Sequence, residues 1–171
     1  KTAGDSLLAA RRLARPDATR SLLVGAGAVA QSLHAAYSAV FPNARFTVWS
    51  RTRASAEALV ADLPDVAIAD DLETAVRDAE IIGSATMATE PLIKGAWLQP
   101  GQHLDLIGAY RPDMREVDDE ALQRARLFVD SFDTTIGHIG EIKTPLESGA
   151  ITRDHIIADF YSLAAFKRGS A

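Results

Sequence analysis

The segment Leu22-Leu23-Val24-Gly25-Ala26-Gly27-Ala28-Val29-Ala30 ends an apolar run and opens a helical pattern with the spacing G-x-G-x-x-A. The chemistry suited to that spacing is phosphate binding. In the bend Gly25-Ala26-Gly27, Gly25 permits a tight turn. Gly27 carries no side chain, so a pyrophosphate can approach the backbone. Ala30 lets the following helix pack closely on the strand. The helix start then offers free N–H groups and a partial positive charge to the phosphates. The plainer reading is a pair of ordinary turn glycines. Placement at the first strand–helix junction of a βαβ series favours the dinucleotide reading.

A second group of candidates follows the next apolar run, in Trp49-Ser50-Arg51-Thr52-Arg53. NAD enzymes place an acid there to bind the ribose 2′-hydroxyl. Here the acid is missing and arginines stand in its place, and arginine forks pair well with phosphate. NADP is therefore favoured over NAD, with Ser50, Arg51 and Thr52 around the 2′-phosphate. The competing reading makes these the solvated first residues of the next helix.

These residues need strands and helices to hold them. Six short apolar runs read as strands: 21–24, 46–49, 66–69, 81–85, 103–107 and 127–129. Short apolar runs separated by helical patterns argue for parallel strands with crossover helices. Val29, Leu33, Ala36, Tyr37 and Val40 share one helix face, which should stop by Phe41 because Pro42 follows. Ala56, Leu59, Val60 and Leu63 form another face, ended by Pro64. Residues 72–79 and 118–125 read as short helices, and 3–14 as a helix before the first strand. Ile156, Phe160, Leu163 and Ala164 read as a closing helix. The expected fold is α/β, a Rossmann-like, doubly wound, parallel six-stranded sheet of order 3-2-1-4-5-6. Residues 1–171 are expected to form a single domain.

Composition removes other classes. Net charge is −5, which gives no reason to expect nucleic acid or an anionic membrane as partner. No apolar run reaches the roughly 18–20 residues needed to span a bilayer. With no cysteine, disulfides and thiolate metal sites are excluded. His34, His103, His138 and His155 have no partners at metal-ligand spacing, so no metal is expected. A cytoplasmic location fits most easily. Asp70-Asp71 and Asp118-Asp119-Glu120 look like helix starts, where acids suit the dipole.

Taken in order, several further segments make a family resemblance. Lys1-Thr2-Ala3-Gly4 with Leu8 to Pro16 is similar to an entry helix. Ala85-Thr86-Met87-Ala88-Thr89-Glu90-Pro91-Leu92 is similar to an A-T-x-x-x-x-P loop. Pro100-Gly101-Gln102-His103 with Ile107-Gly108-Ala109 is similar to a P-G-x-H…G-A strand. Pro112-Asp113-Met114-Arg115-Glu116 and Phe128-Val129-Asp130 complete the set. Together with the glycine bend, these resemble the ornithine cyclodeaminase/μ-crystallin family along nearly the whole chain.

The resemblance implies a fold of two parts: a Rossmann domain, and a second part, built from both chain ends, that binds substrate and makes a homodimer. The chain, which opens inside a helical pattern without a start Met, is expected to be a segment of such a protein. It is expected to be inactive on its own. The resemblance places Lys1 where the family has an arginine touching substrate and cofactor. It makes Thr2 a phosphate or ribose contact and sets Ala28 and Val29 under the pyrophosphate. Thr86, in the loop with Met87, becomes a cofactor contact, and Ile107, Gly108 and Ala109 line the nicotinamide side. Cyclodeaminases have an acid where this chain has Tyr110. A phenol with an ordinary pKa of about 10 is a poor base at neutral pH, though it can donate a proton. The resemblance is thus closer to the reductase branch, in which hydride passes to the C=N bond of a cyclic imine such as pyrroline-2-carboxylate. The partner is then a small imino or amino acid. An NAD-dependent ornithine cyclodeaminase and a dinucleotide-binding protein without turnover remain alternatives. Glu141, in Gly140-Glu141-Ile142, receives no role.

Overall fold

The computed structural model describes residues 2–163. Helix α1 (Thr2–Leu13) precedes β1 (Arg20–Val24), α2 (Ala28–Val40), β2 (Arg45–Trp49), α3 (Arg53–Asp62), β3 (Val66–Ile68), α4 (Leu72–Asp78), β4 (Ile81–Ser84) and β5 (His103–Leu106). Then come α5 (Asp119–Arg124), β6 (Leu127–Val129), α6 (Phe132–Thr135), α7 (Gly140–Ser148) and β7 (Ile156–Asp159). Strands β1 to β5 form one parallel sheet of order β3-β2-β1-β4-β5. That order puts the carboxyl ends of β1 and β4 side by side, where an open α/β sheet forms its crevice.

Both faces of this sheet are covered, which is why its central strands are apolar at successive positions. Leu23 of β1 packs on one side with Ala30, Leu33 and Tyr37 of α2 and Ala56 and Leu59 of α3. Leu22 and Val24 point to the other side, among Val76 of α4, Ala121 and Leu122 of α5, and Leu127 and Val129 of β6. The buried Tyr37 hydroxyl donates to Asp105 Oδ2 at 2.5 Å and ties α2 to β5. Helix α2 stops at Val40 with Phe41 as its cap, and α3 stops at Asp62, one residue short of Leu63 and Pro64. The acids at helix starts act as caps: Asp71 accepts from the Thr74 N–H, and Asp118 from the Ala121 N–H.

The six-stranded sheet needs correction. Strand β6 forms where the sequence suggests, but it pairs in parallel with β7 in a separate two-stranded sheet rather than with β5. The closing helix expected from Ile156, Phe160 and Leu163 is replaced by β7 over its first part. Residues 156–159 alternate in burial, with Ile156 and Ala158 inward, so a period of two prevails over the helical spacing. Ala164 lies outside the described residues.

Candidate active site

At the carboxyl ends of β1, β2 and β4 lies a cleft of about 280 Å³, lined by Gly25, Ala26, Trp49 to Thr52, Ser55, Ala85 to Ala88 and Leu92. Gly25 has φ 101°, and a Cβ there would stand 2.7 Å from the Ala85 carbonyl oxygen, so no other residue fits. Its N–H donates to the Trp49 carbonyl at 2.8 Å, which fixes the bend against the end of β2. Gly27 is the N-cap of α2 and supplies no side-chain cap. Among the described residues a Cβ on Gly27 would meet nothing within 4 Å, so none of them requires a glycine there. The open space is what close approach of a ligand to the backbone demands. Ala28 and Val29 follow, exposed on the first turn of α2, where N–H groups lack intrahelical partners. Ala30 is buried against the sheet, as the helix–strand contact requires.

The candidates after β2 separate by what holds them. Arg53 pairs with Glu57 at 3.0 Å and with Asp70, and it starts α3. Arg51 is exposed beside Ser50 and Thr52 on the cleft wall and makes no ion pair among the described residues. Thr86 and Met87 line the same cleft, Met87 with 69% exposure.

The remaining candidates face elsewhere. Thr2, Ile107, Ala109 and Tyr110 line a larger cavity of about 990 Å³ bounded by α1, β5 and β6. Tyr110 is exposed there, with the Arg111 guanidinium 5.8 Å from its ring centroid. Lys1 lies outside the described residues. Gly108, between Ile107 and Ala109, packs so closely that a Cβ would come within 2.2 Å of the Thr86 carbonyl oxygen.

Two buried acids were not among the candidates. Glu116 is fully buried, and its Oε1 accepts from Ser84 Oγ at 2.6 Å, the Thr86 N–H at 2.8 Å and Thr86 Oγ1 at 2.8 Å. Its Oε2 accepts from the Gly108 N–H at 2.8 Å. Behind it, Glu141 Oε2 accepts from the Glu116 N–H at 2.5 Å and Glu141 Oε1 from the Val117 N–H at 3.2 Å. Burial pushes the Glu141 carboxyl up to about 7, with repulsion from Glu116 adding to it; the two N–H donors and Arg115 oppose the rise. The sequence signal for these acids was weak. Glu116 closes the Pro112-Asp113-Met114-Arg115-Glu116 segment of the family resemblance, which gave it no role of its own. Only burial of Met114 and Val117 beside it marks the segment as interior.

The chain is 52% identical over 168 residues to the Delta(1)-pyrroline-2-carboxylate reductase of Paracoccus denitrificans (strain Pd 1222), covering 95% of this chain and 53% of that protein. Among solved structures, the Delta(1)-pyrroline-2-carboxylate reductase of Thermococcus litoralis in complex with NADH and L-proline superposes with a TM-score of 0.91 at 28% identity. It covers 99% of this chain and 55% of that one. An archaeal alanine dehydrogenase dimer with bound NAD gives a TM-score of 0.90 at 26% identity, covering 99% of this chain and 54% of that one. The chain thus spans about half the length of the proteins it matches. The model of the ornithine cyclodeaminase/mu-crystallin family matches residues 1–165. With that match over most of its length and the glycine bend at the mouth of its sheet, the chain belongs to the ornithine cyclodeaminase/mu-crystallin family.

Proposed function

We propose that this chain is a single dinucleotide-binding domain of an NAD(P)H-dependent reductase acting on a cyclic imine of the pyrroline-2-carboxylate type. The observation that carries the reading is the bend at Gly25 to Gly27. Close packing forces its first glycine, while nothing among the described residues approaches the second. Gly25, Ala26 and Gly27, with Ala28 and Val29 at the helix start, hold the pyrophosphate through backbone N–H groups. Ser50, Arg51 and Thr52 surround the adenosine ribose, and Arg51, with no ion pair among the described residues, suits a 2′-phosphate. NADP is accordingly preferred, although the relatives named above hold NADH and NAD. Thr86, Met87, Ile107, Gly108 and Ala109 orient the other half, with Thr2 as a further phosphate or ribose contact.

A bound reduced nicotinamide supplies hydride for the C=N bond. The chain's own part is orientation, charge and proton supply. Lys1 offers positive charge to a substrate carboxylate, as a point charge rather than a bidentate fork. Tyr110 stands on the wall of the large cavity with its hydroxyl available as a proton donor. An imine that accepts hydride needs one proton, not the base that deamination requires, so a phenol suits reduction. The identity to the Paracoccus denitrificans reductase and the likeness to the Thermococcus litoralis one support that choice. The substrate is a small imino acid, and the full-length protein works as a homodimer through its other part.

The test is steady-state turnover by the full-length protein. Oxidation of NADPH with pyrroline-2-carboxylate, and no release of ammonia from L-ornithine, is the expected result. Ammonia release without imine reduction would overturn it. Titration with NADPH and NADH decides the coenzyme: tighter NADPH binding is expected, and equal affinity would remove the role given to Arg51.

A further inference from the structure

Thr86 belongs to the wall of the smaller cleft, and the residues flanking Gly108 belong to the larger one. Glu116 joins them. Its two oxygens accept four hydrogen bonds, all from the ends of β4 and β5: Ser84, Thr86 twice, and Gly108. Burying a carboxylate is costly, and a well-packed apolar residue often serves a core at least as well. The placement of its donors shows where this one acts. None lies in a helix: Ser84 is the last residue of β4, and Thr86 and Gly108 lie in the segments that follow β4 and β5, from which site residues project. The turns also meet so closely at Gly108 that a Cβ would stand 2.4 Å from the Thr86 nitrogen and 2.5 Å from Glu116 Oε1. Backbone must therefore pass there, held by an acceptor with two oxygens.

Glu116 is itself anchored. Its carbonyl accepts from the N–H groups of Leu92 at 2.9 Å and Ile93 at 3.0 Å, and its N–H is held by Glu141 of α7. The carboxylate thus projects from a fixed backbone into the gap between two turns.

We propose that Glu116 is a positioning residue that locks the Thr86 turn against the Gly108 turn and so sets the wall that receives the nicotinamide half of the dinucleotide. The proposal rests on the dinucleotide reading above and assigns Glu116 no contact with the ligand. It separates the two halves of the site. Among the described residues no hydrogen bond joins Glu116 to the pyrophosphate bend or to Arg51; the bend's own N–H is held by Trp49.

The experiment compares NADH with ADP-ribose, which lacks the nicotinamide, by calorimetric titration of the full-length protein and its variants. For Glu116→Gln, which exchanges one acceptor oxygen for a donor, NADH affinity should fall about tenfold or more while ADP-ribose changes less than about twofold. Ser84→Ala guards against a misfolded Gln variant. It removes one donor to Glu116 without touching the cleft lining, and should weaken NADH about threefold with ADP-ribose unchanged. Equal losses for both ligands, or no change in either, would overturn the positioning role. Absence of binding of either ligand to the unaltered protein would overturn the dinucleotide reading, and this proposal with it.

Discussion

Arg51 and Arg53 stand two positions apart and differ in what holds them: Arg53 has Glu57 and Asp70, whereas Arg51 has no ion pair among the described residues. Replacing Arg51 by Ala should therefore weaken NADPH about tenfold and NADH less than about twofold, read by titration. Gly25→Ala tests the bend itself. Left-handed backbone and the contact with Ala85 should together cost about 1–3 kcal/mol in thermal unfolding and abolish dinucleotide binding. Gly25, Ser50, Arg51 and Thr86 line one cleft; the first three were singled out by their own short segments and Thr86 by the family resemblance. Glu116 and Glu141 were not. Their role arises from N–H groups of Thr86, Gly108, Glu116 and Val117 converging in space, which no local spacing announces.

Among the elements, the helix stops before Pro42 and Pro64 and the acidic helix starts followed from local chemistry. The Asp118 carboxylate caps α5 through the Ala121 N–H at 3.0 Å and also accepts from the Gly95 N–H at 2.8 Å. Asp118→Ala should lower stability by about 1–2 kcal/mol, seen as a lower urea midpoint with an unchanged slope. The five strands of the main sheet were readable as apolar runs between helices. The pairing of β6 was not, because a three-residue strand carries no signal for its partner. The spacing of Ile156, Phe160 and Leu163 suggested only a helix; pairing with β6 holds Ile156–Asp159 extended instead.

For the whole molecule, Glu141 makes stability depend on pH. Its carboxyl is held at about 7 in the folded protein against an ordinary 4.5, so ionising it opposes folding. The contribution of this one group should be full below about 4.5, where folded and unfolded chains both hold the proton. It should fall as pH rises to about 7 and level off above, a loss on the order of 3 kcal/mol. Glu141→Gln should flatten that slope in denaturation curves. The slope is the readout, because Gln also forfeits one acceptor facing the N–H groups of Glu116 and Val117. An unchanged slope would place the proton elsewhere. The two hydrophobic layers constrain the molecule in another way. Since Leu22 and Val24 serve one layer and Leu23 the other, sliding β1 by a single position would send each side chain to the wrong side. The location of the glycine bend is therefore quantised. An insertion or deletion of one residue within β1 has no neighbouring register to settle into, so a change of length at this edge of the cleft is expected to be tolerated only in the connections outside the strand.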